Sequence, residues 1–80
     1  MKIEVRLFAT LAAYLPHREG GPSVWLEPGE GSSVKDVVGA LPIPDGTPFV
    51  TLLNGRDAAP EQPLADGDVL SLFPPLAGGR

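Results

Sequence analysis

Few residues in this sequence can do chemistry of their own. Its 80 residues include no cysteine and one histidine, His17. Disulfides, thiolate-ligated zinc and iron–sulfur clusters are excluded, and so is a site built from several histidines. The stretch that invites a chemical reading is the C-terminal run Pro74-Pro75-Leu76-Ala77-Gly78-Gly79-Arg80. Two prolines cannot continue a central strand, and they favour an extended, polyproline-like chain. Fully extended, the run spans on the order of 20 Å. Such a tail can leave its domain and enter a deep cleft on another protein. Gly78 and Gly79 lack Cβ atoms, so they fit a narrow channel and adopt backbone angles closed to other residues. A bulky side chain beside a reacting carboxylate would block in-line attack on a nucleotide phosphate. The bland alternative is a frayed end or an expression remnant. An apolar strand and Pro-Pro directly before the glycines favour the chemical reading.

The rest of the chain must position that tail. Its length argues for one domain, and 42 % hydrophobic residues allow a small core. The formal charge of -4 leaves no basic footprint for nucleic acid. It suits a basic partner surface through faster encounter, or it serves solubility alone. The start, MKIEVRLF, is interrupted by Lys2, Glu4 and Arg6. It reads neither as a signal peptide nor as a membrane span, so a cytoplasmic location is the default expectation.

Residues 2–8 alternate, with Ile3, Val5 and Leu7 on one side and Lys2, Glu4, Arg6 and Phe8 on the other, the period of a half-buried strand. Thr10 is placed to cap a short helix running to Leu15, which Pro16 stops. His17–Pro22 is expected to be an exposed loop. Ser23–Glu27 reads as a strand. A helix follows from an N-cap at Ser33, with Asp36 near its positive end. Its apolar stripe is Val34, Val37, Val38 and Leu41, and Pro42 and Pro44 end it. Phe49–Leu53 is a strand, Asn54-Gly55 a hairpin turn, and Arg56–Ala58 a short return. Pro60–Pro63 is a loop, and Asp66-Gly67-Asp68 lies in a turn. Val69–Phe73 carries apolar residues on both sides and reads as a central strand buried on each face. The order β, short α, β, α, β, β, β, with the second helix covering one face of the sheet, predicts an α+β fold of the β-grasp, or ubiquitin-like, type. The domain is expected over residues 1–73 and the tail over 74–80.

DGDVLSLFPPLAGG resembles the C-terminus of the small subunit of molybdopterin synthase, the MoaD branch of the MoaD/ThiS sulfur carriers. VRLFATLAAYL is similar to that family's first strand and short helix, and LLNGRDAA to its central strand and hairpin. The thiamin-pathway carriers of the ThiS type are usually shorter and lack the Phe-Pro-Pro approach, so they rank second. The resemblance implies a mechanism. An activating enzyme of the ubiquitin-E1-like kind, of the MoeB/ThiF type, binds the domain and ATP. The carboxylate of Gly79 becomes an acyl adenylate, and sulfur from a persulfide donor converts it to a thiocarboxylate. A MoaE-like large subunit takes up Pro74, Pro75, Leu76, Ala77, Gly78 and Gly79, and the sulfur passes to a pterin precursor. The carrier itself supplies no acid, base, metal or bound cofactor. Arg80 departs from the family's ending, because it locks the Gly79 carboxyl in an amide. Removal by a peptidase, an artefact of the sequence's end, and loss of carrier activity are the three readings, and maturation is preferred.

Phe8, Phe73 and Leu76 are candidates for docking the large subunit, although Phe73 serves a core equally well. Asp66 and Asp68 read first as turn formers around Gly67 and second as partners of a basic enzyme surface. Trp25 is expected to lie partly buried on the sheet. His17 and Arg56 are expected to face water. Two rivals share the fold: a protein modifier whose activated tail joins lysines of other proteins, and an interaction module with no tail chemistry. A β-grasp ferredoxin is excluded by the missing cysteines.

Overall fold

The structure, a computed structural model, describes residues 1–14 and 23–75. Five strands form one mixed sheet: β1 (Ile3–Leu7), β2 (Ser23–Leu26), β3 (Val50–Leu53), β4 (Arg56–Asp57) and β5 (Val69–Phe73). A 3-10 helix (Ala9–Tyr14) follows β1, and α1 (Val34–Gly39) lies between β2 and β3. The strand order is β2-β1-β5-β3-β4. β5 pairs parallel with β1 and antiparallel with β3. The first and last strands are thus central, as their apolar content predicts, and the architecture is that of the β-grasp.

One face of the sheet is closed. Ile3, Val5, Leu7, Leu70 and Leu72 are wholly buried beneath Val34, Val37 and Leu41. The alternation within β1 sends every second side chain to this core. The expectation of burial on both faces of β5 is corrected. Val69, Ser71 and Phe73 are only half buried, because the described helices and loops do not cover that side as they cover the core side.

α1 has six residues, too few to be stable without tertiary help. Its free N–H groups are all accounted for. Val34 donates to Gln62 O and Lys35 to Pro60 O, each at 2.9 Å. Asp36 N–H donates to Ser33 Oγ (3.3 Å), and Val37 N–H to Ser33 O (3.2 Å). The Asp36 carboxylate in turn accepts from Ser33 N–H at 2.9 Å, completing a capping box. The loop 60–63 therefore grips the helix, a role its composition does not announce.

Asn54 also does more than turn the chain. Asn54 and Gly55 hold φ values of 52° and 84°, as a tight hairpin requires. In addition, Asn54 Oδ1 accepts from Val69 N–H (2.9 Å), and its Nδ2 donates to Asp68 Oδ1 (3.0 Å). Asp68 accepts from Ala65 N–H at 2.8 Å, and Asp66 accepts from Lys2 N–H at 2.7 Å. Both aspartates serve the turn around Gly67, whose φ is 88°. The start of β5 is thereby pinned to β3 and β1.

Two local expectations fail. Thr10 does not cap the first helix: it lies inside a 3-10 helix that begins at Ala9, and Ala9 takes a left-handed φ of 53°. Phe8 N–H still donates to Leu72 O at 3.1 Å, so the chain must turn sharply directly after it, before Thr10 is reached. Trp25 is 57 % exposed, so its expected partial burial is overturned. The expected helix end at Leu15-Pro16 and the loop His17–Pro22 lie outside the described residues. Arg56 is exposed, as expected.

Two outcomes follow. Asn54→Gly keeps the turn but removes both side-chain bonds to the β5 start, and chemical denaturation should show a loss of about 1–2 kcal/mol. Hydrogen bonds from the Ser33 backbone and then its hydroxyl lower the Asp36 pKa. The unfolded chain thus binds the extra proton in the window just below the ordinary aspartate value. The contribution of Asp36 is complete above that window and is lost as pH falls through it. Asp36→Asn should flatten the fall in stability on acidification, measured by denaturation at stepped pH.

Candidate functional site

The site is the end of β5 and the sheet face beside it. β5 carries the chain out at Phe73, followed by half-buried Pro74 and exposed Pro75. Side chains that alternate away from the core occupy the open face. The β1–β5 register sets Glu4 beside Val69 and Arg6 beside Ser71. One step further, Phe8 and Phe73 stack, with ring centroids 4.5 Å apart and planes 2° from parallel. Val50 is the register partner of Phe73 on β3 and is 42 % exposed. An apolar patch of Phe8, Phe73 and Val50 therefore surrounds the point where the chain leaves the sheet.

Away from this patch the face becomes polar. Arg6 Nε donates to Glu4 Oε2 at 2.9 Å. That hydrogen bond lowers the Glu4 pKa and raises that of Arg6. The pair is solvent-screened and contributes little to stability. It keeps both side chains lying along the strand, beside the aromatic stack.

Ala9 also belongs to this corner. Its left-handed backbone costs a residue with a Cβ roughly 1–2 kcal/mol. It turns the chain away directly after Phe8, and Leu11 N–H then donates back to Phe8 O at 3.0 Å. The ring of Phe8 is left at the end of β1, free to meet Phe73.

The structure thus brings together two of the expected docking residues, Phe8 and Phe73, and seats Pro74 and Pro75 next to them. Leu76, Ala77, Gly78, Gly79 and Arg80 lie outside the described residues. Val50 was not foreseen. Its position depends on the β3–β5 register, which joins segments distant in sequence. Among the described residues, no three His, Asp or Glu side chains gather as a metal site, and no polar or charged side chain is buried. What this corner offers is an apolar surface around an outgoing chain.

Comparison with known proteins gives the family. Residues 5–79 match the model of the ThiS family. The chain belongs to the ThiS family. Among solved structures, SAMP1, the small archaeal modifier protein 1 of Haloferax volcanii, is similar at 32 % identity and a TM-score of 0.73, with 99 % of this chain and 100 % of that chain covered. A Pyrococcus furiosus protein described as molybdopterin converting factor subunit 1 is 25 % identical, with a TM-score of 0.70 and coverage of 94 % and 98 %. A complex of subunits 1 and 2 of the molybdopterin-converting factor from Helicobacter pylori gives 26 % identity, a TM-score of 0.64 and coverage of 99 % and 100 %. No curated protein sequence matches significantly. Membership of the ThiS family, with these neighbours, makes the chain a ThiS/MoaD-type carrier or a ubiquitin-like modifier. Among the described residues, no helix is long and apolar enough to cross a membrane.

The aromatic stack should be measurable as a coupling. In a double-mutant cycle of Phe8→Ala and Phe73→Ala, denaturation should return an interaction of about 0.5–1.5 kcal/mol. A coupling near zero would mean that the rings do not meet in solution.

Proposed function

We propose that this chain is a sulfur carrier that works through Gly79. The observation that carries the proposal is the family match, which extends through Gly79 itself. An E1-like activating enzyme of the MoeB/ThiF type binds the domain and ATP. The Gly79 carboxylate attacks the α-phosphate, pyrophosphate leaves, and the acyl adenylate forms. The terminal sulfur of a persulfide donor then displaces AMP to give an acyl disulfide, and a thiol reduces that disulfide, which releases the thiocarboxylate and leaves the donor in a disulfide with the thiol. The thiocarboxylate gives its sulfur to a pterin precursor of the molybdenum or tungsten cofactor, within a synthase completed by a MoaE-like large subunit. Two subunits of a molybdopterin-converting factor are found together in the H. pylori complex, and that pairing supports the partner.

The domain's part is positioning. Phe8, Phe73 and Val50 dock the partner, and Leu76 enters a pocket beside them. Pro74 and Pro75 stiffen the exit. Leu76, Ala77, Gly78 and Gly79 thread the active site. In this sequence Gly79 is joined to Arg80, so a peptidase must free the Gly79 carboxylate first.

A second reading has its own support. SAMP1 carries a modifier's name and is 32 % identical to this chain. On that reading the same adenylate passes to lysines of other proteins. A ThiS-like role in thiamin synthesis or another sulfur pathway needs the same tail.

Intact mass spectrometry tests the proposal. Chains ending at Gly79 and at Arg80 are incubated separately with a MoeB-type enzyme, ATP, a persulfide donor and a thiol reductant. The Gly79 chain should gain the mass of one oxygen-to-sulfur exchange, and the Arg80 chain should not. Absence of the exchange in both, while a known carrier reacts in parallel, overturns the sulfur reading. Lysine-linked adducts recovered from cells in place of thiocarboxylate favour the modifier.

A further inference from the structure

The tail and the open face leave one feature of the fold unused, the outer edge of β2. Glu4 N–H donates to Asp68 O at 3.0 Å, so Glu4 turns its main chain toward β5. By alternation, Ile3 and Val5 turn theirs toward β2 and pair with Leu26 and Val24. The main-chain groups of Ser23, Trp25 and Glu27 therefore point away from the sheet. Among the described residues none pairs with them. Edge strands are ordinarily guarded by brevity, a lysine, a proline or an inward charge. β2 is short, at four residues, but Ser23-Val24-Trp25-Leu26 carries no lysine, proline or charge.

Beside this edge runs a groove of about 390 Å³ between β2 and α1, lined by Leu26, Glu27, Pro28, Asp36, Val37 and Ala40. Its floor is apolar, and among the described residues its two charges are both negative. Asp36 uses Oδ2 for the capping box. Its Oδ1 has no hydrogen-bond partner among the described residues, and none of them that line the groove is a lysine or arginine. Leu26 faces this groove, whereas Trp25 projects from the opposite face and is 57 % exposed.

We propose that the β2 edge and the adjoining groove form a docking site for an extended, basic segment of a partner protein, which adds to the sheet as a further strand. Main-chain hydrogen bonds to Trp25 and Glu27 supply register. Alternate apolar side chains of the guest enter the groove over Leu26 and Val37, and basic residues flanking them at the ends of the segment meet Glu27 and Asp36 at the groove's rim. A second copy of this chain is disfavoured as the guest. Each copy carries a formal charge of -4, so two copies repel one another on approach. The site is separate from the tail exit and does not depend on the sulfur reading.

The chain holds one tryptophan, so Trp25 fluorescence reports on this edge directly. The full chain is titrated with a short, end-blocked valine–lysine peptide, in which a strand with valine at alternate positions is flanked at both ends by lysine. The controls are a valine–glutamate peptide and a lysine peptide with a central proline. The valine–lysine peptide should shift Trp25 emission and bind at least about tenfold tighter than either control. It should also slow amide exchange at Trp25 and Glu27. Glu27→Lys should weaken it about threefold to tenfold. Equal binding by the proline peptide would mean charge attraction without strand addition, and would overturn the proposal. So would amides at Trp25 and Glu27 already protected in the dilute free protein, which would mean that the chain covers its own edge. Self-association that buries Trp25 without peptide would assign the edge to a second copy instead.

Discussion

The structure depends on β5 lying in the middle of the sheet. A strand paired on both sides cannot move at its end without breaking two ladders. Leu70 and Leu72 add full burial on the helix side, and Asn54 pins the strand's beginning to the β3 hairpin. Phe73 therefore stands at a fixed point, and whatever follows it begins from a fixed point. For a carrier this is the useful arrangement. A partner that takes up the chain after Phe73 would meet a surface that is already ordered.

A one-sided cover makes that surface available. α1 is short, and its stability is borrowed from the loop 60–63 and from its own cap rather than from length. It closes one face of the sheet and leaves the other to half-buried side chains. On a domain this small, apolar residues spent on the open face are not available to the core. Phe8, Phe73 and Val50 form an apolar patch around the chain exit, the surface that the proposed docking would use. Ala9 helps to build it. A left-handed alanine is tolerated there because the turn it makes places Phe8 against Phe73.

The features legible in the sequence were the local ones. Ile3, Val5 and Leu7 announce a strand through alternation. Ser33 and Asp36 announce a cap through spacing, and Asn54-Gly55 announces a hairpin through backbone preference. What escaped was set by pairing across long separations. Nothing near Val50 in sequence says that it will face Phe73. Nothing in Val69–Phe73 says that only one face will be covered, because its composition suits both outcomes. Thr10 looked like a cap on local evidence, yet the ladder between Phe8 and Leu72 forces the turn earlier. Asn54 was legible as a turn residue, but its grip on Val69 was not, because that contact joins residues fifteen apart.

The fold offers two surfaces that differ in kind. The patch around Phe73 is apolar and lies at the chain exit, so on the proposed function binding there is coupled to threading of the tail. The groove beside β2 is acidic at its rim and lies across the sheet, on the helix side, where occupation leaves the exit clear. On that proposal, binding at the first would commit the tail to one active site. Binding at the second would hold the carrier near a partner while its tail is exchanged between enzymes. The two contacts are then not alternatives, since one selects where the chemistry occurs and the other selects which proteins are present when it does.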